Sequence, residues 1–422
     1  MVLIWSGGRG GRSPSGPRRS ARRVSIPRMT SYAQVQVGLE RLPQGPWIYA
    51  RLMDERGSHG AEDGAIVEVI DGAGRFCGHG LYNSSSDIRV RMLSRGRRSE
   101  LDRPREFLRR RIAAALRLRR RTLRLEEVTD AFRVVHAEGD DLSGLIVDKL
   151  GDALVCQYHA LGFWRLREDV EAILRELLPG YLVLHRFARA ARRGEGLDPD
   201  AELSEGDQAD PRYVEEHGVR FLVHPGASHK TGWFCDQRDN RRHLAALARG
   251  RHVMDLCCHA GGFSIPAALA GARSVTAADL DEEPLGRAER AAAENSADVT
   301  YHHADAFDVL RATVDSKRRP GLLILDPHKL AKGKRDLEAA KVKYRDLNAL
   351  GIAAAAPGGI LATFSCSGAL DLPAFAGVVF QAARRAEREV RLLETLGAGP
   401  DHPQRPDFGR SRYLKGLVLA VD

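Results

Sequence analysis

Cysteine is scarce in this chain. Its 422 residues contain six, irregularly spaced and with no C-x-x-C pair. A disulfide framework is therefore excluded, and a reduced cytoplasm is the simplest setting. Cys257, Cys258 and His259 are adjacent and Cys235 is nearby, but the spacing does not suit a closed zinc site, so no metal is expected. Long apolar runs are missing too. None approaches the roughly 18 residues needed to cross a bilayer, so no membrane partner is expected. The apolar content of 43% is still enough to fill sizeable cores. The glycine pattern G-x-G-x-x-G does not follow the first strand of the C-terminal half, which disfavours a nicotinamide enzyme.

What is present is positive charge, unevenly placed within a net +9. Residues 1–30 hold seven Arg and no acid. Residues 95–124 hold thirteen Arg against Glu100, Asp102 and Glu106, which leaves the rest of the chain net acidic. Charge concentrated in this way suits a polyanion such as RNA; the competing reading is a solvated helix face. Residues 1–30 are rich in Gly, Ser, Pro and Arg without periodicity, and they lack the apolar core of a secretory signal. They are expected to be a disordered basic arm, or to precede a true start at Met29.

Three regions follow. Residues 33–100 read as short strands separated by Gly turns, among them Ala65–Ile70, Phe76–Tyr82 and Ile88–Leu93, and a small β-barrel is the natural solution. Residues 101–225 open with a helix from Pro104 to Leu123, whose Leu108, Ile112, Ala115 and Leu116 form an apolar stripe and leave arginines on the other faces. Mixed strands and a helix at 164–177 come next, then a polar loop over 189–212 and a hairpin over 213–224 with Gly218 at its turn. Residues 226–422 alternate strands (252–255, 274–278, 322–325, 360–364) with Ala-rich helices (265–270, 282–294, 337–355, 373–388). That rhythm predicts an α/β domain with a mostly parallel sheet and ligands at the carboxyl ends of its strands.

The chemistry-bearing residues fall at those strand ends. Asp255 precedes Gly261 and Gly262, whose missing Cβ atoms let a ligand approach the backbone. Asp279 follows the next strand, where an acid can accept hydrogen bonds from ribose hydroxyls. Asp305 stands after a third short segment; for any one of these acids alone, a helix N-cap is an equally good reading. Asp326 ends the run Gly321–Pro327, and Cys366 closes the run ending in Ala362-Thr-Phe-Ser-Cys-Ser-Gly368. A thiol and a carboxylate at two strand ends can meet on one rim of a sheet, a pairing suited to covalent chemistry on a pyrimidine.

Together these motifs resemble class I S-adenosylmethionine-dependent methyltransferases, in a variant form with Cys257 and His259 where many members have glycine. Lys230-Thr-Gly-Trp-Phe-Cys-Asp-Gln-Arg-Asp-Asn240 is similar to a signature of the bacterial 23S rRNA cytosine-C5 methyltransferases that carry an N-terminal PUA domain. Gly139–Asp148 resembles their central segment, and Gly80–Arg91 the end of their PUA domain. The resemblance spans residues 35–422. It implies a Rossmann-like methyltransferase domain behind a PUA-like barrel and a mixed α+β middle domain. S-adenosyl-L-methionine is the implied cofactor and 23S rRNA the implied partner, with a homodimer left open. Asp255 and Gly261 would line the methionine end of the cofactor, Asp279 its ribose and Asp305 its adenine. Asp236, Gln237 and Arg238 would sit beside it at the domain junction. Cys366 would be the nucleophile, Asp326 would hold the cytosine N3/N4 edge, and Lys329 is a candidate to favour the thiolate.

One departure stands out. The family's Asp-Pro-Pro-Lys is here Asp326-Pro327-His328-Lys329. The leading expectation is an RNA cytosine-C5 methyltransferase. Two others are carried beside it: a catalytically silent RNA-binding assembly factor, and an amino-group methyltransferase that uses Asp326-Pro327 without the thiol.

Overall fold

The computed structural model describes residues 32–54, 60–200, 204–205, 209–226, 231–316, 318–331 and 333–422. The basic segment 1–30 and Lys230 lie outside them.

The first layer is a five-stranded sheet of β1 (Gln34–Gln36), β2 (Trp47–Tyr49), β3 (Ile66–Ile70), β4 (Phe76–Tyr82) and β5 (Ile88–Ser94), in the order β1-β3-β4-β5-β2. Val37 bridges to Met53 and so draws the two sheet edges together, as a small barrel requires. Strand alternation sends Val35, Val67, Val69, Val90 and Met92 into one core. Leu81 and Leu93 leave the other face and join the core of the next domain, so β4 and β5 weld barrel to middle domain.

Helix α1 (Pro104–Arg117) starts on Pro104, whose missing N–H costs nothing in a first turn. Leu108, Ile112, Ala115 and Leu116 are buried as their spacing predicts, and Phe107 joins them. The expected helix to Leu123 does not stay α-helical. Residues Leu118–Thr122 widen into a π-turn, and there Arg119 is fully buried rather than on a solvated face. It donates to Asp140 at 2.6 and 2.8 Å and to the Arg133 and Asp401 carbonyls at 2.8 and 2.6 Å.

The middle sheet runs β10-β9-β8-β7-β6, from β6 (Ala131–His136), β7 (Leu145–Leu150), β8 (Ala153–Tyr158), β9 (Leu182–Phe187) and β10 (Ser204–Glu205). Helices α2 (Leu161–Arg165) and α3 (Arg167–Leu177) make the crossover between parallel β8 and β9. The expected polar loop at 189–212 contains α4 (Arg189–Arg192) and a buried Glu195. Glu195 is no solvated charge: it accepts from Asn83, Ser86 and Arg91 of the barrel and from the Leu161 N–H. Strands β11 (Arg212–Glu216) and β12 (Val219–Val223) form the hairpin, turning on His217 and Gly218, both at positive φ.

The C-terminal domain opens with α5 (Arg238–Ala246). Then come β13 (His252–Leu256), α6 (Ser264–Leu269), β14 (Ser274–Asp279), α7 (Glu282–Glu294), β15 (Thr300–His303), α8 (Ala306–Val314), β16 (Leu322–Leu325), α9 (Leu337–Ala354), β17 (Gly359–Ser365) and α10 (Leu372–Arg385). Two strands close the chain, β18 (Val390–Leu396) and β19 (Lys415–Val421). The order is β15-β14-β13-β16-β17-β19-β18, parallel except that β19 runs antiparallel to both neighbours. Strands β16 and β17 are buried throughout and mostly apolar, as parallel strands covered on both faces must be. Among the described residues, no helix is long and apolar enough to cross a membrane.

Candidate active site and cofactor cleft

The carboxyl ends of β13, β14 and β16 bring Asp255, Asp279 and Asp326 to one rim. Asp255 is wholly buried, and neither carboxylate oxygen has a hydrogen-bond partner of good geometry. Burial, reinforced by Asp326 and Asp279, pushes its carboxyl up to about 8, with Ser264 pulling part of the way back. The loop after β13 is held tightly. Cys257 and His259 both have positive φ, as does Gly261. The two positions where glycine is common thus keep a backbone that costs an ordinary side chain roughly 1–2 kcal/mol each. The Asp279 carboxylate fixes this loop by accepting from the His259 N–H at 2.8 Å and the Asp281 N–H at 2.9 Å. Gly261 is required for a reason other than ligand approach: a Cβ there would meet the Tyr301 hydroxyl at 2.8 Å. Asp305 is an N-cap, accepting from Phe307 N–H at 2.8 Å.

This rim suits a cation. Asp279, Asp326, Asp255 and Asp305 all act on the half-buried Cys257 thiol, which desolvation first and then these acids push upward. A buried carboxylate among other acids is costly unless positive charge joins it. A ligand carrying an ammonium or sulfonium group would supply that charge.

Asp326 and the nucleophile candidate end adjacent strands. Strands β16 and β17 are parallel, with Leu325 opposite Thr363. Asp326 accepts from Gln237 Nε2 at 2.9 Å, and Gln237 in turn accepts from Asn240 at 2.6 Å. Cys366 lies just past β17, half-buried, packed with the cluster that includes Ile360, Ala362 and Phe364. Ser365 and Ser367, on the opposite face, both bond the Tyr344 hydroxyl, at 3.0 and 3.1 Å. The thiol is thereby set on a rigid strand end. His328 and Lys329 are exposed on the loop after Asp326.

The 236–238 segment sits where the middle and C-terminal domains meet. Asp236 is buried and accepts from the Tyr413 hydroxyl at 2.6 Å. The fully buried Arg238 is committed to Asp401, at 3.0 and 3.2 Å. Asp401 also accepts from the Arg133 N–H at 3.0 Å. Arg133 pairs with Asp148 at 2.6 Å, and Thr231 donates to the same carboxylate. Arg238 therefore acts as framework. Tyr413 and Asp401 escaped sequence reading because the irregular segment 397–414 carries no periodicity.

The Arg-rich stretch is more neutral than its composition suggests. Arg109 pairs with Glu176, Arg110 with Glu106, Arg111 with Asp141, Arg120 with Glu126 and Arg124 with Glu127. Arg97, Arg117 and Arg121 are exposed and have no ion pair among the described residues.

Acids at successive strand ends of a sheet in this order define a class I methyltransferase domain. The comparisons agree. A family model described as S-adenosylmethionine-dependent methyltransferase matches residues 185–419, and one described as PUA-like domain matches residues 42–95. A solved S-adenosylmethionine-dependent methyltransferase from Streptococcus mutans superposes with a TM-score of 0.75 at 18% identity, covering 92% of this chain and 99% of that one. A further solved methyltransferase, in complex with SAH, gives 0.77 at 19% identity over the same shares. The "Ribosomal RNA large subunit methyltransferase I" of Shewanella denitrificans is 35% identical, over 89% of this chain and 95% of its own. That of Pseudoalteromonas atlantica is 34% identical, over 93% and 100%. The chain belongs to this family of S-adenosylmethionine-dependent methyltransferases with a PUA-like domain. Its cofactor is S-adenosylmethionine, which the acidic rim fits.

Proposed function

We propose that this protein methylates large-subunit ribosomal RNA in the cytoplasm, and that it forms 5-methylcytosine through a covalent adduct with Cys366. The RNA class rests on what the relatives are called and on the PUA-like domain. The base chemistry rests on one observation: Cys366 and Asp326 stand at the ends of adjacent parallel strands, beside the acidic rim.

Pyrimidine C5 is a poor nucleophile. The Cys366 thiolate adds to C6, and the displaced electron pair makes C5 nucleophilic. Asp326, steadied by Gln237, holds the N3/N4 edge and stabilises the adduct. The bound cofactor supplies an electrophilic methyl group. Transfer of the C5 proton to solvent then returns the electron pair and expels the thiolate. An ordinary thiol, with a pKa of roughly 8.5, is only a few per cent ionised at pH 7, so the site must favour the thiolate. In this reading Asp255 and Gly261 face the methionine end of the cofactor, Asp279 its ribose and Asp305 its adenine. Asp236, Gln237 and Arg238 fix the adjoining wall, and Lys329 is a basic neighbour that favours the thiolate. The base leaves its stack to reach the rim.

The test is Cys366→Ala with ribosomal RNA, followed by mass spectrometry of the nucleosides. The expected result is retained cofactor and RNA binding with no 5-methylcytosine. Full 5-methylcytosine formation sinks the covalent mechanism. N4-methylcytosine or methyladenine, made with or without the thiol, points to amino-group chemistry. Absence of cofactor binding in the unaltered protein points to a silent assembly factor.

A further inference from the structure

We propose that Lys415, not Lys329 alone, is the positioning residue that holds Cys366 ready as a thiolate. The inference rests on the covalent reading above and adds a residue to it. Lys415 opens β19 and stands opposite Ser365 in the antiparallel register with β17. Its side chain is almost wholly buried. The ammonium donates to the Ser367 carbonyl at 2.7 Å and to the Tyr413 carbonyl at 2.7 Å. It therefore grips the backbone on the far side of Cys366, while its strand pairs with the residue on the near side.

Two consequences follow from this placement. The hydrogen bond to Ser367 fixes the chain where β17 ends and so aims the thiol. The buried ammonium, held 2.7 Å from the carbonyl of the residue next to Cys366, also brings a positive charge near the sulfur, in surroundings that screen it less than water would. A cation beside a thiol favours the thiolate. The thiol proton passes to solvent, and Lys415 keeps its own.

The charged and titratable groups around the pair are few. Burial pulls the Lys415 ammonium down to about 8; Cys366 and Asp371 push back, and Lys329 adds to the fall. At pH 7 the ammonium form still dominates. Tyr344, from α9, bonds Ser365 and Ser367 on either side of Cys366, and burial pushes its hydroxyl upward. Lys329 is exposed, so its charge is screened in a way that the charge of Lys415 is not.

The experiment is alkylation of Cys366 by iodoacetamide across pH 5.5 to about 9, read on the Cys366 peptide by mass spectrometry. Three variants are compared: K415M, K415Q and K415R. K415M removes charge and donor, K415Q keeps a donor without charge, and K415R keeps the charge. Alkylation near pH 7 is expected to slow about tenfold in K415M and K415Q, with the profile displaced to higher pH, and to stay near the original in K415R. Unchanged profiles in both K415M and K415Q overturn the proposal. If K415M does not fold, the contrast between K415Q and K415R still decides. A loss of alkylation shared equally by all three overturns the charge role and leaves only a structural one. The readout needs no RNA. Displaced profiles together with full methyl transfer by Cys366→Ala would therefore keep the Lys415–Cys366 coupling and discard the covalent mechanism.

Discussion

Asp255 gives the cofactor cleft a measurable signature. Its carboxyl has no exposure and no partner of good geometry, and burial with Asp326 and Asp279 pushes it up to about 8. At pH 7 only about one molecule in ten carries the carboxylate. An ammonium or sulfonium placed beside it reverses that preference. Cofactor binding at pH 7 is then expected to release close to one proton. Affinity should rise about tenfold per pH unit between roughly pH 6 and 8 and level off above. Ionising the group ahead of binding costs about 1.4 kcal/mol at pH 7. Calorimetry with S-adenosylmethionine in buffers of different ionisation enthalpy counts the proton directly. Asp255→Asn should abolish the release, flatten the pH dependence and weaken binding by roughly 10- to 100-fold, the worth of a charge-assisted hydrogen bond. The ligand-free protein reports the same group. A carboxyl whose folded-state value lies above its unfolded one contributes stability that is fully present below about pH 4. That contribution is lost progressively between about pH 4 and about 8, so Asp255→Asn should lessen the decline in stability over that range. Affinity in the unaltered protein that does not vary with pH, or a proton count that the substitution leaves unchanged, refutes the reasoning.

Two further outcomes are expected from the framework. Asp401→Ala leaves Arg238 buried without its carboxylate and should cost about 3–5 kcal/mol, read as a fall of roughly 6–20 °C in the thermal midpoint. Adding Arg238→Met should recover part of it, and equal loss in single and double variants argues against the pair. Burial opposes ionisation of Asp401, but His402 and Arg238 outweigh it and hold the carboxyl far below the usual range. Its contribution is therefore present above about pH 4 and lost only in strong acid. RNA affinity should fall steeply with salt. Replacing Arg97, Arg117 and Arg121 by Gln should reduce the log–log slope by up to about 2. Replacing Arg109, Arg110 and Arg120, which pair with Glu176, Glu106 and Glu126, should change it less, and the opposite ranking in fluorescence anisotropy would relocate the RNA path.

Much of this fold was legible wherever a side-chain period survives. The stripe on α1, the strands β3 to β5 and the parallel strands β13, β14, β16 and β17 follow from apolar spacing alone, because each buries a regular face. The strand-end acids were legible for the same reason: a parallel strand puts its carboxyl end on the rim. Charge was the poorest guide. A count over residues 95–124 sees thirteen arginines but not Glu176, Asp140 or Asp141, which arrive from the middle domain and neutralise several of them. Only folding tells a solvated arginine from Arg119, which lies at the domain junction and touches no solvent at all.

The same limit explains why the thiol was visible and its buried neighbour was not. Cys366 announces itself because it closes an apolar run in a recognisable motif. Lys415 stands one position ahead of an equally apolar run, Gly416–Val421, and nothing local distinguishes it from a strand-flanking surface lysine. Its meaning comes from register. Strand β19 enters the sheet antiparallel between β17 and β18, and a shift of one residue would turn the Lys415 side chain to the other face of the sheet. With the observed pairing, Gly416 lies opposite Phe364, where a Cβ would meet the Phe364 ring at 2.5 Å. The glycine lets the two strands close over that ring, and closure brings the Lys415 ammonium beneath Ser367. The chemistry proposed for Cys366 thus depends on a glycine beside a lysine in the last strand, a dependence that exists only between strands and so has no trace in either strand alone.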